Sequence, residues 1–250
     1  PLLDYLGDAA QMLEPLHCEN LREVYRESMI VPCNWKVTAE AFLEVYHFKH
    51  IHSNKDGWAV LDNRRAVMGL FDGGHSRMTT GYSEQHIKRQ GMDSWDDWKP
   101  LDNGDFAIIE TENKDFLNML DCTSTAVSYF PNYIIPLGSF GFPVLLFWPI
   151  DKKNTLLEWW YYAPKDWEGD DMPQHWEIRM EQFDRIMDED KYNMAPMQES
   201  LESPALTGIP INYQERRIWH LHEQIDNMIG EEGVPEALKV EKLLAPYIEN

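Results

Sequence analysis

In PLLDYLGDAAQMLEPL, residues 1–16, the apolar side chains fall at a spacing that predicts a short amphipathic helix. The period then shortens, and LREVYRESMIV alternates well enough to predict a strand. Asn34 stands where a helix N-cap belongs, ahead of WKVTAEAFLEVYHFKH, in which Trp35, Val37, Phe42, Val45 and Tyr46 roughly follow the helical period. GWAVLDNRRAVMGLFDGGHSRMTTGYS predicts short strands linked by Asp-Asn and Gly-Gly turns. The polar, turn-rich stretch 83–105 is long for a connection inside a compact domain, and long loops of that kind often serve as lids. DFAIIETENKDFLNML predicts a helix. Three strand-like runs follow, STAVSYFPNYIIPL, FGFPVLLFWPI and TLLEWWYYAP, with Trp148, Trp159, Trp160, Tyr161 and Tyr162 supplying aromatic residues suited to strands. From about residue 173 the pattern is helical again, in HWEIRMEQFDRIMDEDKYNMAPMQESL, YQERRIWHLHEQIDNMIG and VPEALKVEKLLAPYIE.

Helix, then antiparallel strands with a helical excursion, then helices is the order of an α+β domain. No internal repeat, low-complexity tract or Gly/Ser linker divides residues 1–250, so a single domain is expected. Ten Trp, eleven Tyr and ten Phe within a hydrophobic fraction of 43% argue for a packed core rather than a disordered chain. A net charge of −21 would repel a nucleic-acid backbone and an anionic membrane face alike, so neither is an expected partner. No apolar run approaches the ~20 residues that span a bilayer. The three cysteines, Cys18, Cys33 and Cys122, form no CxxC pair and leave an odd thiol, a pattern suited to a reducing cytoplasm. Because the first residue is Pro1 rather than Met, the start of the chain is not expected to be the start of the gene.

The candidate chemistry is concentrated in EAFLEVYHFKHIH, which places His47, His50 and His52 just after Glu44. Imidazole with carboxylate suits Fe, Zn, Mn or Ni, and the lack of thiolate excludes a structural cysteine-rich zinc site. Helical geometry nominates His47 and His50, which share a face, over His47 and His52, which a regular helix would rotate apart by about 140°. Glu44 lies on the face of His47. It could ligate a metal or bond the far nitrogen of that imidazole, and this stretch alone separates neither option.

NWKVTAEAFLEVYHFKHIH resembles the mononuclear-iron motif of Rieske-type aromatic-ring-hydroxylating oxygenases, in the catalytic domain of their α subunit. The motif's elements stand at Asn34-Trp35-Lys36, Glu40-Ala41-Phe42, Glu44, His47 and His52. A second element, Glu-Asp followed after seven residues by Gln, is matched by Glu189-Asp190 and Gln198. YFPN at 129–132 and NYQERRIWHLHEQIDNMIG are similar to the family's Phe-Pro-Asn strand and Glu-rich final helix. Two departures stand out. Ala41 replaces a frequent Asn, removing one polar group from the pocket, and Glu44 stands where Asp is commoner. None of the cysteines is followed by histidine at the Cys-x-His or Cys-x-x-His spacing of a Rieske [2Fe–2S] centre. The chain is therefore expected to be the catalytic half of a longer parent, with its N-terminal Rieske domain absent.

The resemblance implies a helix-grip fold of the Bet v 1/START kind, an antiparallel sheet around a long C-terminal helix. It implies an Fe(II) site held by His47, His52 and Asp190, with Glu44 as an electron-transfer bridge bonded to His47 rather than a ligand. Ala41, Phe48, Phe183, Ile186 and Met187 are candidate pocket walls. The implied activity is O₂-dependent mono- or dioxygenation of an aromatic or other hydrophobic molecule. Its electrons would come from NAD(P)H through a reductase, a ferredoxin, or both, and a Rieske cluster, in a homotrimer with or without a β subunit. Asp188 and Glu189 are expected to be solvated, His50 to lie on a helix surface, and His17, His75, His86, His175, His220 and His222 to be structural. Two other readings compete: a metal-free carrier of hydrophobic ligands on the same fold, and a zinc hydrolase with Glu44 as general base.

Overall fold

A computed structural model describes residues 1–52, 60–89, 91, 119, 123–137, 142–165, 174–230 and 232–249. Strands β1 (Leu21–Val31), β2 (Leu61–Leu70), β3 (Ser76–Tyr82), β4 (Thr123–Tyr129), β5 (Tyr133–Leu137), β6 (Phe142–Pro149) and β7 (Thr155–Pro164) build one seven-stranded sheet. Its order is β1-β7-β6-β5-β4-β3-β2, and every adjacent pair is antiparallel. Helices α1 (Leu2–Leu6), α2 (Trp35–Glu40), α3 (Glu84–Arg89), α4 (Gln174–Leu201) and α5 (Arg216–Ile229) complete the described α+β architecture. No described helix is long and apolar enough to cross a membrane.

Both sheet faces are covered, and the strand sequences show why. Successive side chains point to opposite faces, and β6 is apolar at nearly every position. Leu145 and Phe147 join Ile134, Leu157 and Trp159 against α2, α4 and α5. Val144 and Leu146 join Val127, Tyr129 and Ile135 against the N-terminal segment carrying Ala9 and Leu16. The long helix α4 meets the first face through Phe183, Met187 and Met194, and this is the surface that carries the candidate site.

Four expected elements outside the histidine segment differ. Residues 1–16 are not one helix: α1 stops at Gly7, whose φ is 50°, and two 3₁₀ turns follow, the second holding Pro15. Asp62-Asn63 makes no turn but lies within β2, where Asp62 accepts the Arg64 N–H (3.0 Å) and guanidinium across a register irregularity. STAVSYFPNYIIPL is two strands, because Phe130-Pro131-Asn132 forms the turn between β4 and β5, and Pro131 has no N–H to give a sheet ladder. VPEALKVEKLLAPYIE is no helix but a strap with two short 3₁₀ turns. Its amides at Leu243 and Leu244 are taken by the Glu223 carboxylate at 2.7 and 3.1 Å, and Glu249 N–H bonds the Leu70 carbonyl. Of the stretch expected as a lid, only 83–89 and 91 are described. The helix expected in DFAIIETENKDFLNML lies outside the described residues except Met119.

Candidate metal centre

The histidine segment is anchored before it begins. The Asn34 side chain accepts the Lys36 N–H at 3.0 Å and caps α2, and Thr38 Oγ1 donates back to the Asn34 carbonyl. The helix then ends at Glu40, ten residues short of the expected end. Tightened turns follow, with the Phe42 and Leu43 amides reaching carbonyls three residues back. Leu43 and Val45 are both buried, but in different apolar clusters, which pulls the chain out of helical geometry between them. Glu44 sits at this break. Its carboxylate accepts the N–H groups of Tyr46 and His47, donors that a continuous helix would have sent to its own carbonyls. A single helical turn resumes from His47 to His52, closed by Ile51 N–H to His47 O (2.8 Å) and His52 N–H to Phe48 O (3.2 Å).

The His47 and His52 rings meet edge to face, their centroids 5.1 Å apart, whereas His50 is exposed. Helical geometry favoured the pair His47–His50. What decides against it is a grip on each ring from the side. His47 Nδ1 donates to Glu44 Oε1, and His52 Nδ1 donates to Glu189 Oε2 at 2.8 Å. With each Nδ1 turned to a carboxylate, both Nε2 atoms face Asp190 Oδ1, at 3.7 Å from His47 and 3.1 Å from His52. The donor atoms of His47, His52 and Asp190 all lie within 4.8 Å of one another, and they form the one such group found among the described residues.

Asp190 reaches this point because of its place on α4. Phe183, Met187 and Met194 share its face at helical spacing and are packed into the core, so Asp190 is carried inward to 6% exposure. Asp188 points outward and pairs with Lys191 at 2.6 Å. Glu189 is the residue the sequence reading missed. Expected to be solvated, it is partly exposed yet engages His52. Its adjacency to Asp190 in the Glu-Asp pair was the available signal.

A carboxylate bonded to an imidazole nitrogen requires the proton on that nitrogen. Both Nδ1 atoms therefore carry the proton. In the neutral rings this leaves both Nε2 lone pairs facing a third carboxylate, a contact that needs either a second proton on the imidazole or a cation between the groups. Three acceptors converging with no donor among them call for a cation. Donors of an octahedral ion, each about 2.1 Å from it, stand roughly 3 Å apart; His52 Nε2 and Asp190 Oδ1 are at that separation, and His47 Nε2 is wider at 3.7 Å. Two imidazoles and one carboxylate on one side of an ion also leave positions open, the arrangement typical of non-heme Fe(II). A proton can partly substitute. Burial works against a charge on His52, but Asp190 and Glu189 outweigh it and hold the imidazole above its ordinary pKa.

Phe48 stands edge-on to His47 at 4.8 Å and lies 5.7 Å from the His52 ring, so it lines the centre directly. Phe48 itself packs against the cluster of Val45, Ala66, Met68 and Met78, whereas Ala41, Phe183 and Met187 pack into the separate cluster under α2, α4 and α5, and Ile186, one turn before Asp190, is 41% exposed. His220 and His75 bond backbone carbonyls, and His222 pairs with Glu40 at 2.7 Å.

Residues 18–231 match the family described as ring hydroxylating alpha subunit (catalytic domain). The chain is 30% identical over 206 residues to the large oxygenase component of the naphthalene 1,2-dioxygenase system of Pseudomonas putida, covering 72% of this chain and 42% of that protein. The same component from Pseudomonas sp. (strain C18) matches to the same extent. The chain thus spans less than half the length of the curated relatives it matches. Among solved structures, a quaternary ammonium Rieske monooxygenase, CntA, with L-carnitine superposes with a TM-score of 0.62 at 15% identity, covering 88% of this chain and 53% of that one. Naphthalene 1,2-dioxygenase with indole in its active site gives 0.61 at 18%, covering 95% and 62%. At those identities the two structures speak to the fold, and it is the same one. Family match and sequence relatives agree over most of the chain, which therefore belongs to the ring-hydroxylating oxygenase α subunits, as a catalytic domain of that family.

Proposed function

We propose that this domain holds Fe(II) through His47 Nε2, His52 Nε2 and an Asp190 oxygen, and hydroxylates an aromatic or other hydrophobic small molecule with O₂. The observation that carries the reading is the set of three lone-pair donors turned toward one another, each imidazole held from behind by its own carboxylate. The chemistry such an ion supplies when bound is reductive activation of dioxygen beside a substrate. The chain's own residues do the rest. Glu44 and Glu189 keep the Nδ1 protons in place, fix both tautomers and make each imidazole a stronger donor. Phe48 and the neighbouring apolar side chains present a surface that favours hydrophobic substrates over water.

In the same reading Glu44 is the residue through which electrons arrive from a Rieske cluster. That cluster would be supplied outside residues 1–250, by a further domain of the parent protein or by a neighbouring subunit of a trimer. A reductase or ferredoxin, with or without a β subunit, and a cytoplasmic setting complete the proposal. The competing readings lose ground on specific observations. Glu44 is already engaged by His47 and two backbone amides, which leaves it poorly placed as the base of a zinc hydrolase. A carrier without metal has no use for three converging acceptors.

Anaerobic reconstitution tests the proposal. Metal-free protein should take up one Fe(II) per chain, and Asp190→Ala should abolish tight binding while leaving the circular dichroism spectrum unchanged. Failure of the wild-type chain to bind Fe(II), or full binding by Asp190→Ala, would show the assignment to be wrong.

A further inference from the structure

Gln198 closes the sequence pattern that begins at Glu189-Asp190, yet it lies eight residues beyond Asp190 and touches no donor of the metal centre. The structure gives it a different set of partners. Its Oε1 accepts the backbone N–H of Asn34 at 2.8 Å, the residue whose side chain caps α2. Its Nε2 donates to Glu202 Oε1 at 2.8 Å, and the other oxygen of that carboxylate receives Lys153 Nζ at 2.7 Å. The circuit returns to its start through Asn34 Nδ2, which donates to the carbonyl of Lys152 at 2.9 Å. Four side chains thus tie the N-terminus of α2, the C-terminal part of α4 and the β6–β7 turn into one closed ring.

We infer that Gln198 is a positioning residue of the metal centre, locking the helix that carries Asp190 to the segment that carries His47 and His52. The inference rests on the Fe(II) reading above. Two features of the chain explain why a lock is needed. Helix α2 has six residues, too few to hold itself in place, and the turns from it to His52 depend on where it sits. On the other side, Pro196 lies inside α4 between Asp190 and Gln198. It removes the N–H that would bond the carbonyl four residues back, so the helix ladder alone transmits register poorly across that point. The Gln198 amide bridges both weaknesses. Its orientation is fixed because one end must accept from a backbone N–H and the other must donate to a carboxylate.

The exchange of partners supplies a sharp test. Gln198→Leu removes both bonds. Gln198→Glu together with Glu202→Gln rebuilds them with the charges swapped, since the new carboxylate accepts from Asn34 and from the new amide. Metal-free wild type and both variants are titrated anaerobically with Co(II) well below their melting temperatures, recording affinity, the visible absorption bands of the bound ion, and Tm. Gln198→Leu is expected to bind Co(II) about tenfold more weakly with altered bands, the low end of the loss for residues bonded directly to a metal ligand, and the exchanged pair to recover both. A lower Tm with unchanged affinity and bands would reduce Gln198 to a structural role and overturn the inference. Should Gln198→Leu fail to fold, Gln198→Asn, one methylene short of Asn34, carries the same comparison. Absence of Co(II) binding by wild type would overturn the metal reading, and this inference with it; loss of the effect in the variant alone overturns only the inference.

Discussion

Glu44 and Glu189 reach the two imidazoles from different elements, one from three residues earlier in the same loop, the other from α4. Both set the tautomer, so in the proposed Fe(II) site both would contribute to affinity without being ligands. Glu189→Gln keeps an oxygen that can accept from His52 Nδ1 but loses the charge behind the ring. It is expected to weaken Fe(II) binding about tenfold with little change in stability, read by anaerobic calorimetric titration. An unchanged affinity would mean that His52 is oriented by something else. The contrast between the two glutamates shows how far a sequence carries a site. Glu44 stands at a local spacing from His47, and its contact was among the options the sequence left open. Glu189 depends on how α4 docks against a turn more than a hundred residues away, and no periodicity encodes that. Ile186 makes the same point: one turn from Asp190, it is among the exposed apolar side chains, while Phe183 and Met187 are packed inward.

Among the elements, α4 carries the greatest consequence because its buried stripe mixes Phe183, Met187 and Met194 with Asp190. Met187 is 2% exposed, so Met187→Ala should cost about 2–5 kcal/mol in a denaturant titration, the range for emptying a packed core position. A cost below 1 kcal/mol would contradict this packing. The β2–β3 connection is held differently. His75 Nδ1 accepts the Phe130 N–H at 3.0 Å and its Nε2 donates to the Tyr5 carbonyl at 2.9 Å, which admits only the neutral ring. Burial pushes its pKa below the ordinary value of 6.5, against a smaller opposing effect of the Tyr5 carbonyl. Because the pKa is lower folded than unfolded, the stabilisation is complete above the unfolded value and is lost as pH falls below it through the folded one. Stability should therefore decline from about pH 7 toward pH 5, and the slope should be smaller in His75→Gln. Equal slopes would remove His75 from the account. The strands of the sheet were largely legible because alternation and aromatic runs are local signals. The break after Glu40 was not, since Phe42, Val45 and Tyr46 fit a helical period as well as they fit the turns that form. The Glu44 carboxylate, competing for backbone amides, and the burial of Leu43 and Val45 in different clusters separate the two outcomes.

At the scale of the whole molecule, the α+β class followed from the order of elements, whereas the closing strap could not be read from VPEALKVEKLLAPYIE alone. Its amides are satisfied by Glu223 and Asp226 on α5 and by the edge of β2, all distant in sequence. The metal centre joins a loop after α2 to the middle of α4, so binding should stabilise the whole fold by linkage. Fe(II) or Co(II) at a hundred times its dissociation constant is expected to add about 2.7 kcal/mol, and a chelator should reverse it. A melting temperature indifferent to metal would contradict a preformed site. With no Cys-x-His or Cys-x-x-His spacing in the sequence, the isolated chain is expected to give no sustained turnover with NADH and a reductase, assayed by O₂ consumption. The central claim, three donors holding one iron, is tested most directly by anomalous diffraction at the iron edge from crystals loaded anaerobically with Fe(II). The account predicts a single peak bounded by His47 Nε2, His52 Nε2 and an Asp190 oxygen. No peak there, or a peak coordinated by His50 or Glu44 instead, would contradict it.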